Sequence, residues 1–530
     1  MCLAQLISSF RKLCLKRKPL DFLRSAFQSV VGATVLAVMA VSAHAGVPGW
    51  PTDKIAQGAV KIGGSEVPLL QARPVDSFFT YAGLVGDGDP GVIITRDRKI
   101  DEIMRIMRGI EKNTGKQKML TVVFYHINAS DGPRGILRDI GNAEPDKVLE
   151  KHIINYLSIL RQLEGYKEAT RPVPATLLLS PDFLGELHMD CQPRRCKIPW
   201  HTAVPLGEAL GAAFDYLKLD KSEIPPEFLA PNTELKDYIR AINWMSHKFA
   251  PSVPFGWQIN VWAGDPRAHG WLHMAAQKDP TLVEKRVNAE AAFLRRMNVM
   301  GNENPIFEPH FIAFDKYERD VFDRTLAGAG VNAGYLYSVQ VLDVYVQLAK
   351  GISEAFNNKP VMLWQVPGGH LQTVGDIDDR GANASTEPDY FLGNPAVEDD
   401  LSNVASYIRD TPMPTNTQIY QSNAKTVGEY LRCPTERPNC WKVGHLGDLK
   451  AANVFAILWG GGSTTSIVGL SSHLDDNGWA FRRLQSHGLN NGNGSHARVV
   501  LEPLKANARP KSASAANAKG ASAKKGRSKR

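Results

Sequence analysis

Residues 119–127 read MLTVVFYHI, and this stretch decides the fold. Its apolar residues run on almost without the polar alternation of a strand that faces water on one side. A strand apolar on both faces must be covered on both, which is the condition of a parallel strand between layers of helix. On either side lie longer stretches of helical period, near 98–113 and 145–165. The same unit recurs along the chain. Further strands are predicted at SFFTYAG (77–83), ATLLLSP (175–181), FGWQINVWA (255–263), HFIAFD (310–315), PVMLWQV (360–366) and VFAILWG (454–460). Helices are predicted between them near 205–218, 232–249, 281–299, 333–356 and 473–486.

Seven strand–helix units indicate an α/β fold with a parallel sheet. The first strand is not followed by Gly-x-Gly-x-x-Gly, and the chain is long enough for a closed ring, so a (β/α)8 TIM barrel is expected over 75–490. NTQIYQS (416–422) is the candidate for an eighth strand, inside an irregular stretch from about 367 to 450. Residues 46–74 read as an amino-terminal extension with a hairpin, AVKIGGSEVPLL (59–70), turning at Gly63-Gly64 and capping the barrel bottom.

The first forty-five residues run from a basic zone (Arg11, Lys12, Lys16, Arg17, Lys18, Arg24), through an apolar run from Val30 to Val41, to Ala43-His44-Ala45. That order reads as a signal peptide cleaved near Ala45, and a run of about a dozen residues is short of the ~20 a spanning helix needs. The chain is therefore expected to be secreted or periplasmic. Its net charge of +8 is concentrated at the ends. Six basic residues and one acidic one precede Ala45, and nine basic and no acidic ones follow from Lys505, so the body between is net −6. A mildly acidic body argues against a nucleic-acid surface. The segment 491–530 ends in a stretch without aromatic or branched apolar residues after Lys505, and reads as a disordered basic tail suited to anionic envelope components. Two local cysteine pairs, Cys191/Cys196 and Cys433/Cys440, read as disulfides in an oxidising compartment.

In such barrels the reacting groups stand at the carboxyl ends of the strands. Those ends are polar and aromatic here: Tyr125 and His126; Ser180-Pro181-Asp182, with Glu186 beyond; Gln258, Asn260 and Trp262; Asp315, Tyr317 and Glu318; Trp364, Gln365 and His370; and Trp459. Aromatic platforms suit the faces of pyranose rings, and carboxylates and amides suit their hydroxyls.

On these residues the chain resembles the (β/α)8 glycoside hydrolases, through Ser180-Pro181-Asp182 after an apolar strand, Asp315 to Glu318, and strands ending in Trp364 and Trp459. It departs from the common retaining pattern in having no Asn-Glu pair at a predicted strand end and in holding Gln365 near where a glutamate would end the strand. The resemblance implies a carboxylate acid/base pair, here Asp182 with Asp315 and Glu186 and Glu318 in reserve, acting on a poly- or oligosaccharide in a monomer without a cofactor. A noncatalytic polysaccharide-binding barrel and a metal-dependent hydrolase are the alternatives. His269 and His273 are four apart but have no third ligand at suitable spacing. Asp376, Asp378, Gly381 and Glu387 match a calcium loop that Arg380 breaks. GGGSTTS (460–466) lacks the lysine of a P-loop, and no Gly-x-Ser-x-Gly elbow is present.

Overall fold

A computed structural model describes residues 46–60, 75–82, 92–129, 132–141, 148–190, 198–267, 270–301, 307–315, 320, 322, 336–375, 384–413, 422–461 and 478–486. Eight parallel strands, each hydrogen-bonded to the next, close into one barrel. They are β1 (Ala56–Val60), β2 (Ser77–Tyr81), β3 (Met119–Phe124), β4 (Thr176–Leu179), β5 (Phe255–Asn260), β6 (Phe311–Asp315), β7 (Val361–Val366) and β8 (Val454–Trp459). The expected (β/α)8 architecture is the observed one.

The seven predicted strands are β2 to β8. The strand that closes the ring is β1, which pairs in parallel with β2 on one side and β8 on the other. The barrel therefore begins at Ala56, within the segment read as an extension, and the strand runs through the start of the expected hairpin. The rest of that hairpin, the candidate strand at 416–422 except for Ser422, and the tail from 487 on lie outside the described residues. β1 reads AQGAV: short, and without a β-branched residue until its last position, it lacks the composition that marked the others.

The helices form for local reasons. In Arg98–Thr114, Ile100, Ile103, Met104, Met107 and Ile110 recur at three- and four-residue spacing and are buried. The Asp97 side chain caps the first turn by accepting from Lys99 N, and Gly115 ends the helix at φ 67°. The apolar stripes of such helices and the outward residues of the strands make the outer core.

A second core fills the barrel itself, with Phe79, Val123, Leu178, Phe311, Ala313, Met362 and Leu458 among its members. Val47 and Trp50 belong to it from the amino-terminal side, so residues just past Ala45 plug the barrel floor. The Trp50 indole donates to Thr176 Oγ1 at 2.8 Å, at the start of β4, and its ring meets Phe455 edge-on at 5.3 Å. With the floor filled, the open end is the one where the strands finish.

Candidate active site

The backbone at that end departs from regular strand at three of the predicted positions. Ser180, Asp182 and Gln365 adopt left-handed φ values of 44°, 66° and 54°. Non-glycine residues there cost roughly 1–3 kcal/mol each and persist where their surroundings hold them. For Asp182 the surroundings are β5: its backbone N–H donates to Gln258 Oε1 at 2.9 Å.

The left-handed turn carries the Asp182 side chain toward the interior end of β5. Asn260 Nδ2 donates to Asp182 Oδ1 at 2.8 Å and to Asp315 Oδ2 at 3.3 Å. Gln258 Nε2 donates to the same Asp315 oxygen at 3.1 Å. The two amides of one β5 face thus join a carboxylate from β4 to one from β6. Two oxygens bonded to a common nitrogen at these lengths are no more than about 6 Å apart, short of the ~6.5–9.5 Å of an inverting pair. Burial pushes the Asp182 carboxyl above the ordinary carboxylate range, against the opposing pull of the Asn260 amide. Asp315 is only 1% exposed.

Next to β6, with Trp364 in register with Asp315, β7 carries a bulge. Its register with β8 shifts between Leu363 and Val366, and Gln365 sits at the break. The bulge overrides the two-residue alternation, so consecutive side chains meet one partner. Trp364 lies 6.2 Å from the Tyr81 ring, and Gln365 Nε2 donates to the Tyr81 hydroxyl at 3.0 Å. Tyr81 also stacks on Tyr125 at 6.5 Å. Gly461 makes room for this wall: a Cβ there would lie 2.9 Å from Gln365 Cγ and 3.2 Å from the Tyr81 hydroxyl. Trp364 Nε1, Gln365 Oε1 and Asn260 Oδ1 are buried and have no protein partner. A buried polar atom without a partner costs about 1–3 kcal/mol, a cost that a polar ligand or water removes.

Other predicted residues go elsewhere. His126 lies in the outer layer, ringed by Tyr156, Phe183, Tyr238 and Trp257, with Nδ1 3.0 Å from the Tyr238 hydroxyl. Burial holds its pKa well below the ordinary histidine range, so it is neutral and does not line the mouth. Trp459 also points outward: it is wholly buried in the outer core and donates to Gln57 Oε1 at 2.6 Å. A barrel strand buried on both faces is apolar on both, so composition does not tell which face a tryptophan takes. His370 stacks flat on Trp479 at 4.5 Å. Glu186 is on the helix Phe183–Asp190, with Oε2 beside Gly132. Trp262 is half-buried in the turn after β5. That turn is held by Arg286, which donates to the carbonyls of Ala263 and Gly264 and is backed by Glu290 and His188. Tyr317, Glu318, Cys191, Cys196 and His269 lie outside the described residues.

Two residues near the pair were not anticipated. Tyr81 ends β2 and organises the aromatic wall. Glu387, wholly buried at the start of the short helix Glu387–Leu392, lies near enough to Tyr345 to act on its hydroxyl together with Asp315. Asp320 places it, accepting from the backbone N–H groups of Tyr337, Thr386 and Glu387 at 2.9, 2.8 and 2.7 Å. The sequence signal was only a glutamate next to proline in a long loop. Among the described residues no group of three His, Cys, Asp or Glu side chains could hold a metal ion.

Eight parallel strands closed into one ring define the class, a (β/α)8-barrel protein. Solved structures similar to the chain include a psychrophilic glycoside hydrolase family 10 endo-β-1,4-xylanase, at 9% identity and TM-score 0.37, covering 82% of this chain and 97% of that one. A Bacteroidetes-affiliated GH5 cellulase linked with a polysaccharide utilization locus matches at 11% identity and TM-score 0.37, over 83% and 92%. The Thermobacillus composti GH10 xylanase matches at 10% identity and TM-score 0.33, over 82% and 96%. At these values the likeness bears on no residue's role, and the fold stands on the strand pairing. No family model matches the chain, and no curated protein matches it.

Proposed function

We propose that this protein is an exported glycoside hydrolase acting on a poly- or oligosaccharide, with Asp182 and Asp315 as its acid/base pair. The observation that carries the reading is the bridging amide: Asn260 holds carboxylates from two different strands at one point of the barrel mouth. Asp182, favoured in its protonated form by burial, gives its proton to the glycosidic oxygen as the C1–O bond breaks. Asp315 attacks C1 and forms a glycosyl ester. Water then cleaves that ester, with Asp182 taking the water's proton and Asp315 leaving as the carboxylate. The wall of Tyr81, Tyr125, Trp364 and Gln365 offers ring faces and unpartnered polar atoms to a neutral, hydroxyl-rich ligand.

A noncatalytic polysaccharide-binding barrel is the second reading, favoured by an amide, Gln365, on the strand beside Asp315. A panel of polysaccharides digested with the wild type, Asp182→Asn and Asp315→Asn separates the two. The hydrolase reading expects turnover on some glycan and a fall of roughly 10²–10⁴-fold in either variant. Unchanged activity in both variants sinks the pair. Retention on a glycan affinity gel without turnover on any glycan establishes the binding module. Export is tested in the same expression: the mature chain in the periplasmic or culture fraction should begin at Gly46, and a chain retaining its first forty-five residues there overturns it.

A further inference from the structure

We propose that Asn260 is a positioning residue that locks Asp182 and Asp315 into one proton-sharing unit, with the proton resting on Asp182 and the charge on Asp315. This deepens the hydrolase reading and rests on it for its catalytic meaning.

The argument begins with the donor count. Asp315 Oδ2 receives two amide N–H groups, from Gln258 and Asn260, whereas Asp182 Oδ1 receives one, at 2.8 Å. Hydrogen bonds to a carboxylate favour its charged form, so the better-served group keeps the charge. Two carboxylates this close in a site of low water content repel when both are ionised, and one of them retains its proton. The bridging amide has one workable orientation. Turned over, its oxygen would face two carboxylate oxygens. In the orientation present, Oδ1 is pressed toward Gly185, where a Cβ would lie 2.2 Å away. Gly185 therefore leaves the space the bridge occupies.

Other titratable groups lie on the elements around the pair. Among the described residues, Tyr81 and Tyr125 stand in the barrel mouth, Tyr345 on the helix Val339–Ala355 acts on Asp315, and Glu387 acts on Tyr345. Lys316, Glu318 and Arg319 follow Asp315 outside the described residues.

Carboxyl ¹³C titration of the full chain tests this without a substrate. The wild type should show the two aspartates titrating in separate steps, each visible at both sites, as coupled groups do. Asp182→Asn should shift the Asp315 titration downward. Asn260→Leu, which keeps the volume and removes the donor, should move the Asp182 step up by ~1 pH unit, equivalent to one charge-assisted hydrogen bond. Asn260→Gln, which restores an amide, should recover part of that shift. Independent titration of the aspartates, or an Asp182 step unmoved in Asn260→Leu, overturns the proposal. Should Asn260→Leu fail to fold, the response of Asp315 to Asp182→Asn decides it. Coupled titration with no glycan turned over would retain the shared proton and reject the hydrolase.

Discussion

Asp182 illustrates how a single residue spends stability at this site. Its φ is 66°, and burial raises its pKa. The folded state therefore holds the proton more tightly than the unfolded chain does. Below the ordinary carboxylate range the group is protonated in both states and contributes nothing. As pH rises through the window between the ordinary and the raised value, the fold loses stability, and above the raised value the whole cost is present. Asp182→Asn should accordingly melt higher than the wild type at pH 7, and the gap should close toward pH 4. Thermal melts at the two pH values check this, and a gap that widens on acidification refutes it. Asp182 and Asp315 could be picked out as candidates because each stands at the carboxyl end of an apolar strand. The amides that join them were legible only as a shared face. Tyr81 and Glu387 were not seen as site residues, since Glu387 is placed by Asp320, sixty-seven residues earlier in the chain. His126 and Trp459 were read into the mouth because a doubly buried strand carries no mark of its inner face.

At the scale of elements, the strand that organises the site is β5, and its position against β6 depends on Gly256. A Cβ there would lie 2.4 Å from the Phe311 ring and 2.6 Å from the Phe311 carbonyl oxygen. The ring fills the barrel and the carbonyl belongs to the β6 backbone, so neither has room to retreat. Gly256→Ala should cost roughly 1–3 kcal/mol, the usual price of overpacking, measurable by denaturant unfolding. A variant as stable as the wild type would mean that β5 and β6 can part locally. The same logic explains which elements could be read in advance. Strands such as MLTVVF and helices such as Arg98–Thr114 declare themselves by apolar runs or stripes. β1 does not, because its interior partner Leu458 demands glycine at position 58, where a Cβ would lie 2.2 Å from Leu458 Cδ2. The small residues that let the ring close are the ones that hide the closing strand. The β7 bulge was equally hidden, since a left-handed glutamine leaves no trace in composition.

At the scale of the molecule, the long connection after β7 is fastened to itself and to neighbouring segments at several points, and within it lies a disulfide. Cys433 and Cys440 are bonded, as their spacing suggested. Around them, Cys433 N donates to Asp399 O at 3.0 Å, Asn439 N to Asp399 Oδ1 at 2.7 Å, and Asn394 N to Trp441 O at 2.7 Å. Arg483, from the helix Trp479–Ser486, clamps the same segment through the carbonyls of Gly393 and Leu392. The stapled loop thus lies on a piece of chain that runs back to Asp389, whose carboxylate accepts from Leu371 N just past β7. Closing so short a loop is worth about 2–3 kcal/mol on the chain-entropy account. Replacing both cysteines by serine should lower stability by about that amount, while amide exchange should quicken around 393–442 and remain slow in β2 to β6, because the barrel core shares no covalent link with the staple. Exchange that quickened equally in the strands would show instead that the connection and the barrel open as one unit, and that the fastening after β7 is part of what keeps the ring closed.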